Sequence, residues 1–262
     1  MEERILMKIP NTLLRSGKDI KLGPHIKVHQ PTYGEIAEAQ LSEEEFLQAC
    51  EMICITKDKL GIGEDVETPL LKSNFGLLLA LLLNKEFPAD NREAIMRSLS
   101  LLLPQGEIKL NISGIMIKVN EETLYTINEE LFNDFQSIVR TVSGLQLLRG
   151  DEDIEYNAES EAAKKIKEKL LAGRRKAAQL KAEEAEKSGS SLLGNYLDIL
   201  VVGCGYSYEQ LNHYTIPQIF LAVEKYQAYY TYELDFRCRM VGGGDKNSVP
   251  DNWMLEQKKN NS

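Results

Sequence analysis

The chain has little of what would mark it for nucleic acid, secretion, a membrane or covalent catalysis. Its 262 residues hold 31 Lys and Arg against 40 Asp and Glu, a formal net charge of −9. A duplex-binding protein neutralises phosphates with clustered bases, so any basic surface here is local. Four cysteines, Cys50, Cys54, Cys204 and Cys238, share no repeated short spacing. That excludes the pattern of a disulfide framework or zinc ribbon and favours reduced, mostly buried thiols. Met1 to Pro10 mixes Glu2, Glu3, Arg4 and Lys8 among its apolar residues and holds no signal-peptide core, so an unsecreted protein is expected. The most apolar run, Phe75 to Leu83, is about half the ~20 residues that a membrane-crossing helix needs. Asn84, Lys85 and Glu86 end it, which suits a buried core helix in a cytoplasmic protein.

Catalytic motifs are missing as well. His25 and His29 stand four apart in a segment that reads as extended, without the neighbouring glutamate of a metalloprotease helix. His213 falls at a helix boundary, where a polar cap or surface role suits it. Gly203-Cys204-Gly205 and Gly242-Gly243-Gly244 follow no clear strand and lack the Gly-Lys-Ser/Thr ending of a phosphate loop. Helix terminators explain both. No Gly-x-Ser-x-Gly elbow occurs, and acids such as Glu43 and Glu44 belong to expected solvent faces. No catalytic residue, metal or cofactor is assigned, and an enzyme is the least supported class.

Apolar spacing supplies the organisation. Ile26 to Gln30 reads as a short strand, Pro31 as the first-turn residue of a helix, and about Tyr33 to Ile55 as one helix. Phe46, Cys50, Ile53 and Cys54 gather on its buried stripe. Further helices are expected from about Leu70 to Asn84 and from Asn91 to Leu103. Ile108, Leu110, Ile112 and Ile115, Ile117, Val119 then alternate about Ser113-Gly114, a hairpin expected to pair Ile112 with Ile115, Leu110 with Ile117 and Ile108 with Val119. Thr126-Ile127-Asn128-Glu129 fits a capping box ahead of a helix carrying Leu131, Phe132, Phe135, Ile138, Val139 and Val142 and closed by Gly144. The fold class expected is α+β, mostly helical. An N-terminal α+β domain spans 1–150, and an acidic loop, charged linker helix and Gly/Ser joint span 151–191. A C-terminal helical domain with a polar tail occupies 192–262.

The linker is acidic first, from Asp151 to Glu161, and basic from Lys164 to Lys181, the order that suits a helix dipole. Ala163, Ile166, Leu170, Ala177 and Leu180 form its thin apolar stripe. After the joint, Leu192 to Val201 opens a helix, Ser207-Tyr208-Glu209-Gln210 caps a short one, and Thr215 with Pro217 opens a long one. There Ile216, Ile219, Phe220, Val223, Tyr226, Tyr230 and Leu234 make one stripe, with Tyr229, Tyr232 and Phe236 beside it. Trp253 is an anchor in the polar tail.

The order of these segments, from Asn74-Phe-Gly-Leu-Leu-Leu-Ala-Leu-Leu-Leu through the hairpin, Asn128 to Gly144 and Ala162-Ala-Lys-Lys-Ile-Lys-Glu-Lys-Leu-Leu-Ala-Gly-Arg-Arg-Lys to Leu211-Asn-His-Tyr-Thr-Ile-Pro-Gln-Ile-Phe, resembles phage tail assembly chaperone-type proteins of siphophages and prophages from Firmicutes. The resemblance lies in packing and linker patterns over most of the chain, not in catalytic motifs. It implies a non-enzymatic role in the host cytoplasm, binding the tape measure protein and recruiting tail tube subunits, with the chaperone absent from the mature virion. The expected contact residues are Ile166, Leu170, Arg174, Arg175, Lys176 and Leu180 on the linker helix, and Tyr229, Tyr232, Phe236 and Trp253 beyond it. A homo-oligomer fits the same role, and no membrane partner is expected. Two alternatives stay open: a structural virion protein of tail or neck, and a nucleic-acid-binding regulator acting through residues 164–181.

Overall fold

The computed structural model describes residues 9–57, 69–145 and 191–240. In chain order the elements are α1 (Asn11–Ser16), β1 (Ile20–Leu22), β2 (Ile26–Val28), α2 (Tyr33–Glu38), α3 (Glu43–Ile53), a 3-10 turn (Pro69–Lys72), α4 (Asn74–Leu83), α5 (Ala89–Leu102), β3 (Glu107–Asn111), β4 (Gly114–Lys118), β5 (Leu124–Ile127), α6 (Glu129–Val142), α7 (Leu192–Cys204), α8 (Tyr208–Leu211) and α9 (Ile216–Met240). The fold is α+β and mostly helical, with two small antiparallel sheets.

Helix α6 is the centre. Asn128 caps it by accepting from the Leu131 amide, and its apolar residues recur three and four apart. Phe132, Phe135, Ile138, Val139 and Val142 are all buried. The helix lies against α3, α4, α9 and strands from both sheets. Full burial of each such side chain contributes about 1.5–3 kcal/mol. Polar side chains of α6 also finish α3: Gln136 Nε2 donates to the Ile53 and Ile55 carbonyls at 2.9 and 3.0 Å, satisfying acceptors that a helix end leaves open.

Several local expectations are corrected. The helix expected over 33–55 is two, α2 and α3, each opened by a complete capping box: Thr32 with Glu35 and Ser42 with Glu45. Gln40 takes φ 56 between them, and Arg97 donates to the Ala39 and Gln40 carbonyls. Pro31 precedes the Thr32 cap instead of occupying the first turn. The segment after Pro69 is a 3-10 turn, and Ser73 starts α4. Thr126 lies in β5, a strand that the sequence reading missed, so Asn128 alone caps α6.

The hairpin forms in a different register. Leu110 pairs with Ile115 and Ile108 with Ile117, two positions from the expected pairing. A slip of two keeps every side chain on its face, so Ile115 and Ile117 are still buried, whereas Ile112 moves into the turn and is 85% exposed. The Asn111 side chain sets this turn by accepting from the Ser113 and Gly114 amides at 2.8 and 3.1 Å. Gly114, with φ 146, lies against the Ile127 carbonyl where a Cβ has no room.

Buried residues before residue 146 and after residue 190 meet in one cluster. Leu193, Leu197, Leu200, Leu211, Ile216, Ile219, Phe220 and Val223 join the same buried cluster as Leu14, Phe46 and Phe132. Gly144, at φ 71, admits the Phe220 ring from α9 to the end of α6. The linker expected at 151–191 lies outside the described residues apart from Ser191.

Candidate interaction surface

Helix α9 passes from the core to the surface. Its first two turns bury Ile216, Ile219, Phe220 and Val223, with the Phe220 ring edge-on to Tyr196 of α7 at 5.2 Å. Further along, Gly203 of α7 leaves space that the Tyr226 ring fills. Helix α7 then ends, because Gly205 at φ 75 takes the left-handed cap conformation that favours glycine. Past Tyr226, α9 exposes Tyr230 (55%), Leu234 (52%) and Phe236 (47%), with Tyr229 also exposed and Tyr232 half-buried. Tyr226 stacks on Tyr230 at 6.2 Å and Tyr232 on Phe236 at 6.4 Å. Arg237 and Glu233 form an ion pair at 2.5 Å one turn apart.

Of the residues expected to touch a partner, Tyr229, Tyr232 and Phe236 therefore share this outer half of α9. Ile166, Leu170, Arg174, Arg175, Lys176, Leu180 and Trp253 lie outside the described residues. Tyr230 and Leu234 continue the sequence stripe of Ile216, Ile219 and Val223, which are buried, yet both lie at the surface. Cys50 and Cys54 face the core as expected, and burial drives the Cys50 thiol well above its ordinary pKa. Cys204 and Cys238, expected among mostly buried thiols, are exposed.

Two polar clusters join elements, and neither was read from the sequence. His29 Nδ1 lies 2.8 Å from Asp19 Oδ1, and its Nε2 lies 3.1 Å from Glu35 Oε2. Burial opposes the imidazolium, but hydrogen bonds and charges from Asp19 and Glu35 outweigh it and raise the His29 pKa. Burial likewise disfavours the Glu35 carboxylate, but bonds from Thr32 and His29 hold its pKa below the usual value. Among the described residues, no group of three or more His, Cys, Asp or Glu is arranged to hold a metal ion.

Glu43, expected on a solvent face, is half-buried at the second cluster. It accepts from the Tyr33 hydroxyl at 2.8 Å, from the Gly194 amide at 3.0 Å and from the Ser191 hydroxyl. Its charge thus sits at the positive end of α7. Burial and Glu43 together push the Tyr33 pKa up to about 12. The capping pattern Ser42-x-x-Glu45 was the available signal for placing Glu43 in a first turn, though not for its long-range partner.

An open groove of about 440 Å³ runs between α1 and α9, lined by Arg15, His213, Tyr214, Gln218, Leu221 and Ala222. No helix among the described residues is long and apolar enough to cross a membrane. No protein-family model, curated protein or solved structure matches the chain.

Proposed function

We propose that the protein is a non-enzymatic assembly factor that grips another polypeptide, and, following the resemblance of its sequence, that it is a tail assembly chaperone for a tape measure protein. The supporting observation is the passage of α9 out of the core, which leaves Tyr230, Leu234 and Phe236 at the surface in one helical segment. Aromatic side chains provide large contact area and dominate many protein interfaces. Tyr230 and Leu234, spaced four apart, fit the seam of an amphipathic helix laid alongside, and Phe236 adds apolar surface on the neighbouring face with Tyr232. An unassembled tape measure exposes such seams, and a chaperone covers them reversibly until tube subunits arrive.

Coexpression with the tape measure protein tests the reading. The triple variant Tyr230→Ser, Leu234→Ser, Phe236→Ser should lose at least about tenfold in client affinity, some 1.4 kcal/mol, with unchanged folding. Undiminished capture by the folded triple variant refutes the proposal. Recovery of the chain from purified virions would favour the structural virion protein instead.

A further inference from the structure

The face of residues 9–145 that receives residues 191–240 is built from groups that need a partner. The Tyr33 and Gly34 amides open α2, where a helix offers them no internal acceptor. They donate to the Tyr214 and Asn212 carbonyls, each at 2.9 Å. Thr32 forms an antiparallel bridge with Thr215, Gln218 Nε2 donates to the Arg15 carbonyl at 2.8 Å, and Glu43 closes on Ser191 and Gly194. Phe220 and Ile216 seat on Gly144 between these polar contacts. The two halves are separated along the chain by residues 146–190, a contour of up to about 150 Å at ~3.3 Å per residue. Nothing in the contacts themselves requires both halves to come from one molecule.

We propose that the same face is an interface between copies, in which residues 191–240 of one molecule dock on residues 9–145 of a second in the geometry seen within one chain. The contacts are identical either way. The choice between closure and exchange is therefore set by protein concentration against the effective concentration of the tethered half, on the order of millimolar. Dilute copies close on themselves, and copies crowded side by side link. Exchange uses none of the outer half of α9, so it stands or falls separately from client binding.

The Thr32–Thr215 bridge provides the test, since bridged residues have Cα atoms about 4.5–5.5 Å apart, within disulfide range. Thr32→Cys and Thr215→Cys chains, both also carrying Cys204→Ser and Cys238→Ser, are mixed, unfolded, refolded together at about 1 mM and oxidised. A disulfide-bonded dimer with one of each chain is expected, its yield rising with concentration, while a chain carrying both cysteines closes on itself when dilute. If the double variant closes internally and the mixture yields no mixed dimer at any concentration, exchange is overturned. A double variant that does not close internally overturns the docking geometry beneath it. Thr32 and Thr215 both cap helices, so the unsubstituted chain supplies a second reading. Heavy- and light-isotope copies refolded together at about 1 mM should give mixed dimers by native mass spectrometry, and monomers alone refute the proposal.

Discussion

Phe220→Ala asks whether the two halves share a core energetically as well as geometrically. The side chain is only 7% exposed, rests on Gly144 and meets Tyr196 edge-on. Truncating a buried phenylalanine costs about 3–5 kcal/mol in transfer and cavity terms, and the aromatic pair is part of that loss. Because the ring lies at the rim of the cluster, where neighbours can relax inward, about 3–4 kcal/mol is expected. That is a large share of the ~5–15 kcal/mol that keeps a domain folded. Urea unfolding followed by circular dichroism should show one transition at a lower midpoint with unchanged slope. Hydrogen exchange read by mass spectrometry should lose protection in Glu129–Val142 together with Ile216–Val223. Two transitions with only one displaced, or a loss confined to residues 191–240, would refute the shared core.

Register and charge give two further checks. Ile112→Thr should leave stability within about 0.5 kcal/mol, as for an exposed turn residue, whereas Ile115→Thr should cost about 2 kcal/mol or more by burying a hydroxyl in a full core; equal losses in urea unfolding would restore the rejected pairing. The raised His29 pKa means that its contribution is complete below the ordinary imidazole value of 6.5 and fades as pH rises through the higher folded value. The lowered Glu35 pKa means that its contribution is complete above 4.5 and fades as pH falls through the folded value. Stability from this cluster is therefore greatest between 4.5 and 6.5, and His29→Gln should flatten the decline on the alkaline side in denaturation midpoints taken from within that range to well above it.

Local patterns were legible wherever a periodic apolar stripe met a recognisable cap. The stripe of Phe46, Cys50, Ile53 and Cys54, the apolar face of α6, its end at Gly144 and the Ser207 box of α8 all read directly from spacing. What spacing could not supply was competition between two signals in one segment. Ser42-Glu43-Glu44-Glu45 is a helix start inside a region that is helical on both sides, so periodicity hid it. In the hairpin, alternation fixed the face but not the register, and the Asn111 side chain, which alternation does not score, chose the turn. The shared core was the larger loss. A polar stretch of some forty residues reads as a boundary, yet the unpaired amides of α2 and the Glu43 carboxylate find their partners beyond it. The contact residues expected at Tyr229, Tyr232 and Phe236 lie on the outer half of α9, while Tyr230 and Leu234 share a stripe that continues unbroken from buried Ile216 and Val223, so spacing does not show where burial stops.

That unbroken stripe outruns its cover, and the reason lies in α7. Tyr196 meets Phe220 and Gly203 meets Tyr226, so α7 and α9 advance side by side until the Gly205 cap ends α7. From Tyr226 to Met240 the helix runs on for about 21 Å at 1.5 Å per residue. A helical segment of that length is marginal in water without tertiary packing. The Tyr226–Tyr230 and Tyr232–Phe236 stacks and the Glu233–Arg237 pair each add only about 0.2–0.5 kcal/mol. Amide protection should therefore fall along α9 after Tyr226 in the free chain and recover when a helical client is added, because a bound seam would replace the cover that α7 no longer provides. Peptides covering 227–240 report both changes in hydrogen exchange read by mass spectrometry. Protection in the free chain as high there as at Ile216–Val223, or a client complex that leaves these peptides unchanged, would show that the overhang is not where a partner sits.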